Sequence, residues 1–319
     1  MAKLAHPGWC ENLIRAAGLR PGERVLVVVD EPLVEDGSAL QAAVRDAGGK
    51  PVLQLWRGER PLSRAPAPVL EAAGSADVSF FLAEQPLGEE AAARFSLLEA
   101  MIEHGGRQIF LGFVDSELLN GELSRPAVDL EEVARGLLEE LEGVDRIRIR
   151  GRAGTDLELN VAGRPWQTDA GPLRDGDMAN YPSGEVFVAP HANGANGILV
   201  ADLTVPYTVQ GLVDEPVSLT FERGRVTSIE GGRAAGMLRD LVAGAGPGAD
   251  VIAELGIGVN PTIAPRGHVM LDEKAAKTAH VAIGRNTGPY GGDNEATIHV
   301  DCVFSLPAVE ADGRPISLP

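Results

Sequence analysis

Short apolar runs alternate with segments of helical spacing along the first part of the chain. Residues 24–30 are almost continuously apolar, which is typical of a strand buried on both faces. Residues 38–47 are Ala-rich with helical spacing and stop at Gly48 and Gly49, as helices with a glycine C-cap do. The same texture predicts strands over 51–56, 77–82 and 108–112 and helices over 89–104 and 131–141. Strands that alternate with helices predict a doubly wound, flavodoxin-like α/β domain, which we assign to residues 1–143.

From about residue 144 the polarity instead alternates with a period of two. This alternation is found at residues 147–150, 156–161, 217–221 and 226–230, between glycine-containing turns. It is typical of half-buried antiparallel strands. One clear helix is predicted, over residues 234–242. We therefore expect an α+β domain with a largely antiparallel sheet over residues 144–319.

Composition and charge narrow the class of partners. Lys and Arg total 28 against 46 Asp and Glu, so the net charge is 28 − 46 = −18, which disfavours nucleic acid and anionic membranes. No run of eighteen apolar residues and no secretory leader pattern is present, and Cys10 and Cys302 form neither a zinc-finger spacing nor a disulfide framework. We expect a reduced, cytoplasmic protein. Asp30 and Glu31 follow the first strand in place of a glycine-rich dinucleotide fingerprint.

Candidate chemistry begins with His299 and Asp301, in a segment of strand composition. Alternate residues of a strand share a face, so both side chains point the same way, roughly 7 Å apart along the strand. Ile298, Val300 and Cys302 then point into the packed layer. The pair can converge on one cation, although an accidental polar face gives the same pattern.

Three further segments place a polar side chain among apolar neighbours: His280, Glu254 and Glu185. A buried carboxylate needs a cation or hydrogen-bond donors, and an ordinary ion pair is the alternative for each Glu. Together the five residues suit two metals that share a bridging carboxylate and activate a water. A subset of two histidines and one carboxylate would instead form a facial triad for Fe(II). Spacing leaves both arrangements open.

The chain resembles the aminopeptidase T (aminopeptidase S) family of metallopeptidases over most of residues 150–305. The resemblance rests on ordered segments at residues 154–157, 166–171, 180–190, 254–261, 271–274, 280–284, 291–294 and 299–301. It implies a cytoplasmic homodimer that removes N-terminal residues from peptides with two divalent metals such as Zn, Co or Mn. The ligands carried over are those already selected: Glu185, Glu254, His280, His299 and Asp301. Glu185 or a neighbouring acid would also transfer the proton.

Two departures from the family leave the reaction open. The chain is shorter than the typical peptidase, and Thr287 stands where the family carries a tyrosine, so Tyr290 is the candidate to steady the oxyanion. The same superfamily includes 2,5-dihydroxypyridine 5,6-dioxygenases, whose Fe(II) triad would correspond to His280, His299 and Asp301. His191 would then be an acid or base.

The retained Glu254 favours the hydrolase, because an iron triad does not need this carboxylate. A metal-stabilised protein without activity is the third hypothesis.

Overall fold

The computed structural model describes residues 6–171, 173–306 and 308–319, with the side chain of Pro289 left aside. The described residues form two compact units. The first lies within Met1–Asp129 and Gly171–Pro182, and the second within Leu130–Ala170 and Ser183–Pro319.

The chain passes through both units in the following elements. The helices are α1 (Gly8–Ala16), α2 (Val34–Asp46), α3 (Ala67–Ala73), α4 (Ala91–Ile102), α5 (Ser116–Asn120), α6 (Glu131–Leu141), α7 (Arg233–Ala245) and α8 (Val269–Asp272). Short 3-10 helices cover Glu31–Leu33, Gly88–Glu90, Glu122–Ser124 and Gly288–Tyr290. The strands are β1 (Arg24–Val29), β2 (Lys50–Leu55), β3 (Val78–Ala83), β4 (Arg107–Gly112), β5 (Arg146–Arg150), β6 (Asp156–Asn160), β7 (Gln167–Thr168), β8 (Met178–Asn180), β9 (Glu185–Val188), β10 (Ala195–Ala201), β11 (Val217–Glu222), β12 (Arg225–Glu230), β13 (Ile252–Gly258), β14 (Thr278–Gly284), β15 (His299–Ser305), β16 (Ala308–Ala311) and β17 (Arg314–Pro315).

The first unit is built on a parallel sheet of strand order β2-β1-β3-β4-β8. In order of appearance within the sheet this is 2-1-3-4-5, the order of flavodoxin-like sheets. β1 is buried along Val25–Val29 and pairs with β2 on one side and β3 on the other, as its continuous apolar run predicts. The helix predicted from Ser38 begins earlier, at Val34, because the 3-10 turn Glu31–Leu33 leads directly into it.

The second unit contains two antiparallel sheets. One has strand order β12-β11-β10-β6-β5-β16-β17 and the other β15-β14-β13-β9-β7. Residues from both sheets share one hydrophobic core cluster, among them Leu157, Leu219, Ile257 and Val281. The protein thus combines a parallel sheet with antiparallel sheets, as predicted.

The division between the units differs from the predicted boundary at residues 143 and 144. The apolar side of α6, through Leu137 and Leu141, packs in the core of the second unit, so that unit begins at Leu130. Gly171–Pro182 belongs to the first unit because β8 pairs with β4. Neither feature shows in the local polarity pattern.

Among the described residues, no helix is both long enough and apolar enough to cross a membrane.

Candidate metal centre

Four neighbouring antiparallel strands, β9, β13, β14 and β15, carry the five predicted ligands. Glu254 lies across from Ala282, which lies across from Asp301. Since side chains alternate along a strand, Glu185, His280 and His299 fall on the same face as Glu254 and Asp301. The opposite face is apolar and lies in the core through Leu255, Ile257, Val281, Ile283, Val300 and Cys302. The alternation therefore anchors a polar layer on a rigid sheet.

Small residues between the ligands make room for this layer. Gly256 pairs with His280, and a Cβ at position 256 would stand 2.1 Å from the Cε1 atom of the imidazole. Ala282 and Gly284 pair with Asp301 and His299. The His280 ring therefore lies directly over the backbone of β13, at a distance that a side chain on residue 256 would prevent.

The five residues form two groups that share one member. In the first, the Nε2 atom of His280 lies 3.4 Å from Oε1 of Glu254 and 3.8 Å from Oε2 of Glu185. In the second, Nε2 of His299 lies 3.4 Å from Oε2 of Glu254 and 3.1 Å from Oδ1 of Asp301. Glu254 thus turns one oxygen toward each group.

A backbone carbonyl sets the orientation of His299. Its Nδ1 atom lies 2.6 Å from the carbonyl oxygen of Arg285, and because a carbonyl only accepts, Nδ1 donates this hydrogen bond. The Nε2 atom is then left facing the carboxylates of Glu254 and Asp301. Metal-binding histidines are commonly oriented by such a bond from the second ring nitrogen.

A second layer of charge surrounds Glu185. Lys274, fully buried, forms an ion pair and hydrogen bond with Oε1 of Glu185, and its Nζ lies 3.3 Å from Asp169 and 3.2 Å from Glu273. Our prediction from the residues alone missed Lys274, Asp169 and Glu273, although they fall in segments of the family resemblance. Lys274 follows Asp272 and Glu273 directly in the sequence, and this charged context gives no local signal that its side chain is buried.

The charges of this cluster do not balance. Among the described residues its carboxylates number five and Lys274 is its one permanent cation, so with neutral imidazoles the charge is −5 + 1 = −4. The carboxylates are those of Asp169, Glu185, Glu254, Glu273 and Asp301. Buried charge of one sign is costly unless it is compensated, and two divalent cations carry the matching charge.

Protons partly offset this excess in the metal-free protein. Burial raises the pKa of Glu185 to about 8, against the opposing charge of Lys274. Burial opposes protonation of His280, but its hydrogen bond to Glu254 and the charges of Glu185 and Asp301 raise the pKa of His280 to about 10. Burial likewise works against ionisation of Glu254, yet the hydrogen bonds from His280 and His299 lower its pKa. The nearby carboxylates thus favour a positive charge on the imidazoles.

The donor set fits a divalent metal. Oxygen and imidazole donors are the ligands that Zn, Co and Mn accept. The Oε2 atom of Glu185 is buried and has no hydrogen-bond partner in the described structure, and this atom faces His280. A buried oxygen of this kind calls for a cation or a proton.

Aromatic residues border the cluster on one side. The ring of Tyr290 stacks on His299 with centroids 4.7 Å apart and planes 20° from parallel, and Phe187 meets Tyr290 edge-on at 6.4 Å. Burial is the main cause that raises the pKa of the Tyr290 hydroxyl. Tyr290 therefore lies beside His299, and its role in steadying an oxyanion stays a prediction.

His191 lies outside both groups. Its Nε2 atom is 2.9 Å from the carbonyl oxygen of Ala162, and its backbone joins the turn after β9. Its acid or base role stays a prediction that the cluster does not require.

Two solved structures share this fold over 97% of the chain. The 2,5-dihydroxypyridine dioxygenase of Pseudomonas putida KT2440 aligns with a TM-score of 0.74 over 94% of its own chain, at 20% identity. AmpT from Thermus thermophilus aligns with a TM-score of 0.68 over 96% of its chain, also at 20% identity. The predicted relation to both groups of proteins is confirmed.

Sequence similarity extends to both groups, and the 2,5-dihydroxypyridine 5,6-dioxygenase of Pseudomonas putida is 31% identical over 100 residues, which cover 30% of this chain and 28% of that protein. Aminopeptidase T of Thermus thermophilus is 31% identical over 181 residues, which cover 50% of this chain and 43% of that protein, so the match spans less than half of the relative's length. The family described as thermophilic metalloprotease (M29), which implies binding of a divalent metal, matches residues 128–314, more than half of the chain. The four strands that carry Glu185, Glu254, His280, His299 and Asp301 all fall within the match, and the chain belongs to this metalloprotease family.

Proposed function

We propose that this protein is a metal-dependent aminopeptidase with two divalent cations bound between β9, β13, β14 and β15. The observation that carries the proposal is the position of Glu254, which offers one carboxylate oxygen to each of two ligand groups. Glu185 and His280 complete one group, and His299 and Asp301 complete the other. A shared carboxylate suits a site that holds two metals close together.

Divalent cations, when bound, supply Lewis acidity that polarises a carbonyl group and lowers the pKa of water. The protein's own side chains do the positioning. Arg285 fixes the orientation of His299 through its carbonyl oxygen, and Lys274 fixes Oε1 of Glu185. Since only Oε2 of Glu185 then remains, and it faces the first ligand group, we assign Glu185 the role of a ligand.

The proton that the attacking water releases must reach the leaving amine through a nearby acid. We assign this transfer to Glu273, a buried acid whose carboxylate lies beside Lys274. Burial is the largest cause that raises the pKa of Glu273, so this carboxyl group retains a proton more readily than an exposed one.

The family carries a tyrosine at the position of Thr287, and Tyr290 is its proposed replacement in this chain. Its ring is held against His299, which keeps the phenol beside the cluster. A phenol hydroxyl in this place can donate a hydrogen bond to the negative oxygen of the tetrahedral intermediate. The small-peptide substrate, the homodimer and the cytoplasmic location are part of the same proposal, on the basis of the family resemblance.

A ring-cleaving Fe(II) dioxygenase is the second candidate. His280 and His299 both approach Oδ1 of Asp301, at 3.8 Å and 3.1 Å, as two histidines and one carboxylate of a facial triad do. The position of Glu254, within 3.4 Å of both imidazoles, favours the two-metal hydrolase, because it adds a buried carboxylate that a single iron would leave uncompensated.

One experiment separates the candidates. The protein is purified without added metal, its bound metals are counted and identified, and aminoacyl-anilide hydrolysis and dioxygen uptake are assayed in parallel. We expect two Zn, Co or Mn ions per chain together with hydrolysis. One Fe(II) with dioxygen uptake on a hydroxypyridine would refute the peptidase, and bound metal with neither activity would favour a metal-stabilised protein without catalysis.

His299→Ala tests the metal centre directly. The variant should lose bound metal while the first unit stays folded, because His299 anchors the second ligand group. His191→Ala is the matched control in the same unit, since its ring contacts the Ala162 carbonyl instead of the cluster. Equal metal content in both variants would contradict the proposed ligand set.

A further inference from the structure

We propose that Lys274 is a positioning residue that makes Glu185 a one-oxygen ligand, so that one of the two cations depends on Lys274 and the other does not. The inference rests on the proposed two-metal centre and adds to it a difference between the two ligand groups.

The contacts of Lys274 divide the two oxygens of Glu185. Oε1 is bound by the Lys274 ammonium, whereas Oε2 is buried without a hydrogen-bond partner in the described structure and lies 3.8 Å from His280. The ammonium is itself fully buried, so water does not compete for Oε1. The carboxylate is therefore held in one rotation, with Oε2 turned toward His280 and Glu254.

Asp169 extends this hold to the backbone of β9. Its Oδ1 accepts the amide hydrogens of Gly184 and Glu185 at 2.8 Å and 2.9 Å, while its Oδ2 lies 3.3 Å from the Lys274 ammonium. Lys274 thus holds the side chain of Glu185 directly and supports its main chain through Asp169.

The backbone of Lys274 is fixed from two directions. Its carbonyl oxygen accepts a hydrogen bond from the amide of Asn260, just beyond β13, and its own amide donates to the carbonyl of Leu271 in α8. Asp272, fully buried in the same helix, accepts from the amides of Arg266 and Gly267. The ammonium is therefore presented from a rigid segment, as preorganised sites require.

The second ligand group has a different support. His299 is oriented by the carbonyl oxygen of Arg285, and among the described contacts Lys274 forms an ion pair with neither Glu254 nor Asp301. The charge of Lys274 reaches Asp301 only from a distance, where it helps to lower the pKa of that carboxyl group. Removal of Lys274 should therefore weaken the cation held by Glu185, Glu254 and His280 and spare the cation held by Glu254, His299 and Asp301.

Lys274→Met, which keeps an unbranched side chain one atom shorter and removes its charge, tests the inference by titration of the metal-free protein with Co²⁺. Loss of a residue that orients a ligand weakens metal binding by about 10- to 100-fold. We expect one of the two binding steps to weaken by this factor and the other to stay within about threefold. Lys277→Met is the matched control, because Lys277 is exposed and lies only three residues away.

Two variant backgrounds identify the step that is lost. In His280→Ala, which already lacks the first group, Lys274→Met should change Co²⁺ binding no further. In Asp301→Asn, which weakens the second group, Lys274→Met should remove the remaining tight binding of Co²⁺. Equal weakening of both steps by Lys274→Met, or no weakening, overturns the inference.

A charge-balanced variant separates positioning from simple electrostatics. Lys274→Met combined with Glu273→Gln removes one positive and one negative charge, so the net charge of the cluster is kept and Oε1 of Glu185 still lacks its donor. Positioning predicts that Co²⁺ binding stays weak at one step; full recovery would overturn it. If Lys274→Met alone does not fold, Co²⁺ binding is measured on this double variant instead.

The number of Co²⁺ ions that the wild-type protein binds tests the two-metal proposal separately. Wild-type protein that binds fewer than two Co²⁺ ions refutes both the two-metal centre and the dependence of one cation on Lys274. Wild-type protein that binds two, with Lys274→Met unchanged, refutes the role of Lys274 alone.

Discussion

Each unit of the molecule buries a basic side chain among carboxylates, and the two clusters differ in their balance of charge. In the first unit, the guanidinium of Arg107 bonds to Glu23 at 2.8 Å, to Asp175 at 2.7 Å and to the carbonyl oxygen of Ala17 at 3.0 Å. Arg20 pairs with the same Asp175, so two positive charges meet two negative charges, +2 − 2 = 0.

The Lys274 cluster of the second unit has one positive charge against five carboxylates. The Arg107 cluster also reaches water, because the Asp175 side chain is 59% exposed, whereas Glu254 is buried. A balanced cluster at the surface ties chain segments together, and an unbalanced one in the interior requires further cations. The two clusters therefore predict opposite responses to mutation, in stability for one and in metal binding for the other.

The largest expected effect is on catalysis, at the unbalanced cluster. Glu254→Gln removes the carboxylate shared by both ligand groups, so we expect kcat/KM for an aminoacyl-anilide to fall by about 10³-fold, which corresponds to about 4 kcal/mol. Metal content should fall at both positions. The control is Glu158→Gln on β6, where the side chain is exposed. Retention of both metals and of activity would show that the excess charge has another purpose.

At the balanced cluster, Arg107→Met should act on stability. The change leaves Glu23 without its buried partner, and we expect the free energy of unfolding to fall by about 3 kcal/mol. Chemical denaturation checks this value, and metal content per folded molecule should be unchanged. Arg20→Met is the matched control, because Arg20 is exposed beside the same Asp175, and its effect should be much smaller. A loss of metal in Arg107→Met would erase the distinction between the clusters.

Gly256→Ala tests whether packing sets the geometry of the unbalanced cluster. The added methyl group would stand 2.1 Å from the His280 ring, which must then move away from Glu254. Because a displacement of about 1 Å at a reacting centre costs up to about 100-fold in rate, we expect turnover at saturating Co²⁺ to slow by about one to two orders of magnitude. Ala282→Gly, which removes a methyl group from the same face, should have a weaker effect; equal effects would argue against the steric explanation.

The smallest effect is expected from Tyr290→Phe. The variant keeps the stacking on His299 and loses the hydroxyl, whose hydrogen bond in the transition state is worth about 1 kcal/mol, or roughly fivefold in turnover rate. Metal content should stay the same, which separates this residue from the ligands. An unchanged turnover rate would leave Tyr290 as a packing partner of His299.

The predictable part of the fold is the part encoded in local polarity. The continuous apolar run of β1 and the alternation in β6 each reflect burial of nearby residues, so both strands are found where they were predicted. β8 was missed because it is three residues long and pairs with β4, which lies far away in the sequence. Contacts over such distances leave no local period.

The candidate site divides in the same way. His299 and Asp301 were identified because a strand places alternate residues on one face, and the structure brings both beside Glu254. Lys274 was missed because it lies outside a strand and becomes important only through its contact with Glu185. The close approach of His280 to Gly256 also depends on strand register, which the pattern of single residues does not specify.

Because Gly171–Pro182 belongs to the first unit, the two units cannot be separated by one cut in the chain. A fragment that ends at Asp129 would lack β8 and leave β4 as an unprotected sheet edge, which promotes aggregation. A fragment that begins at Leu130 would carry β8 without its partner strand. Each half is therefore best expressed with the other, and a shortened first half would need Gly171–Pro182 joined to it through a new linker.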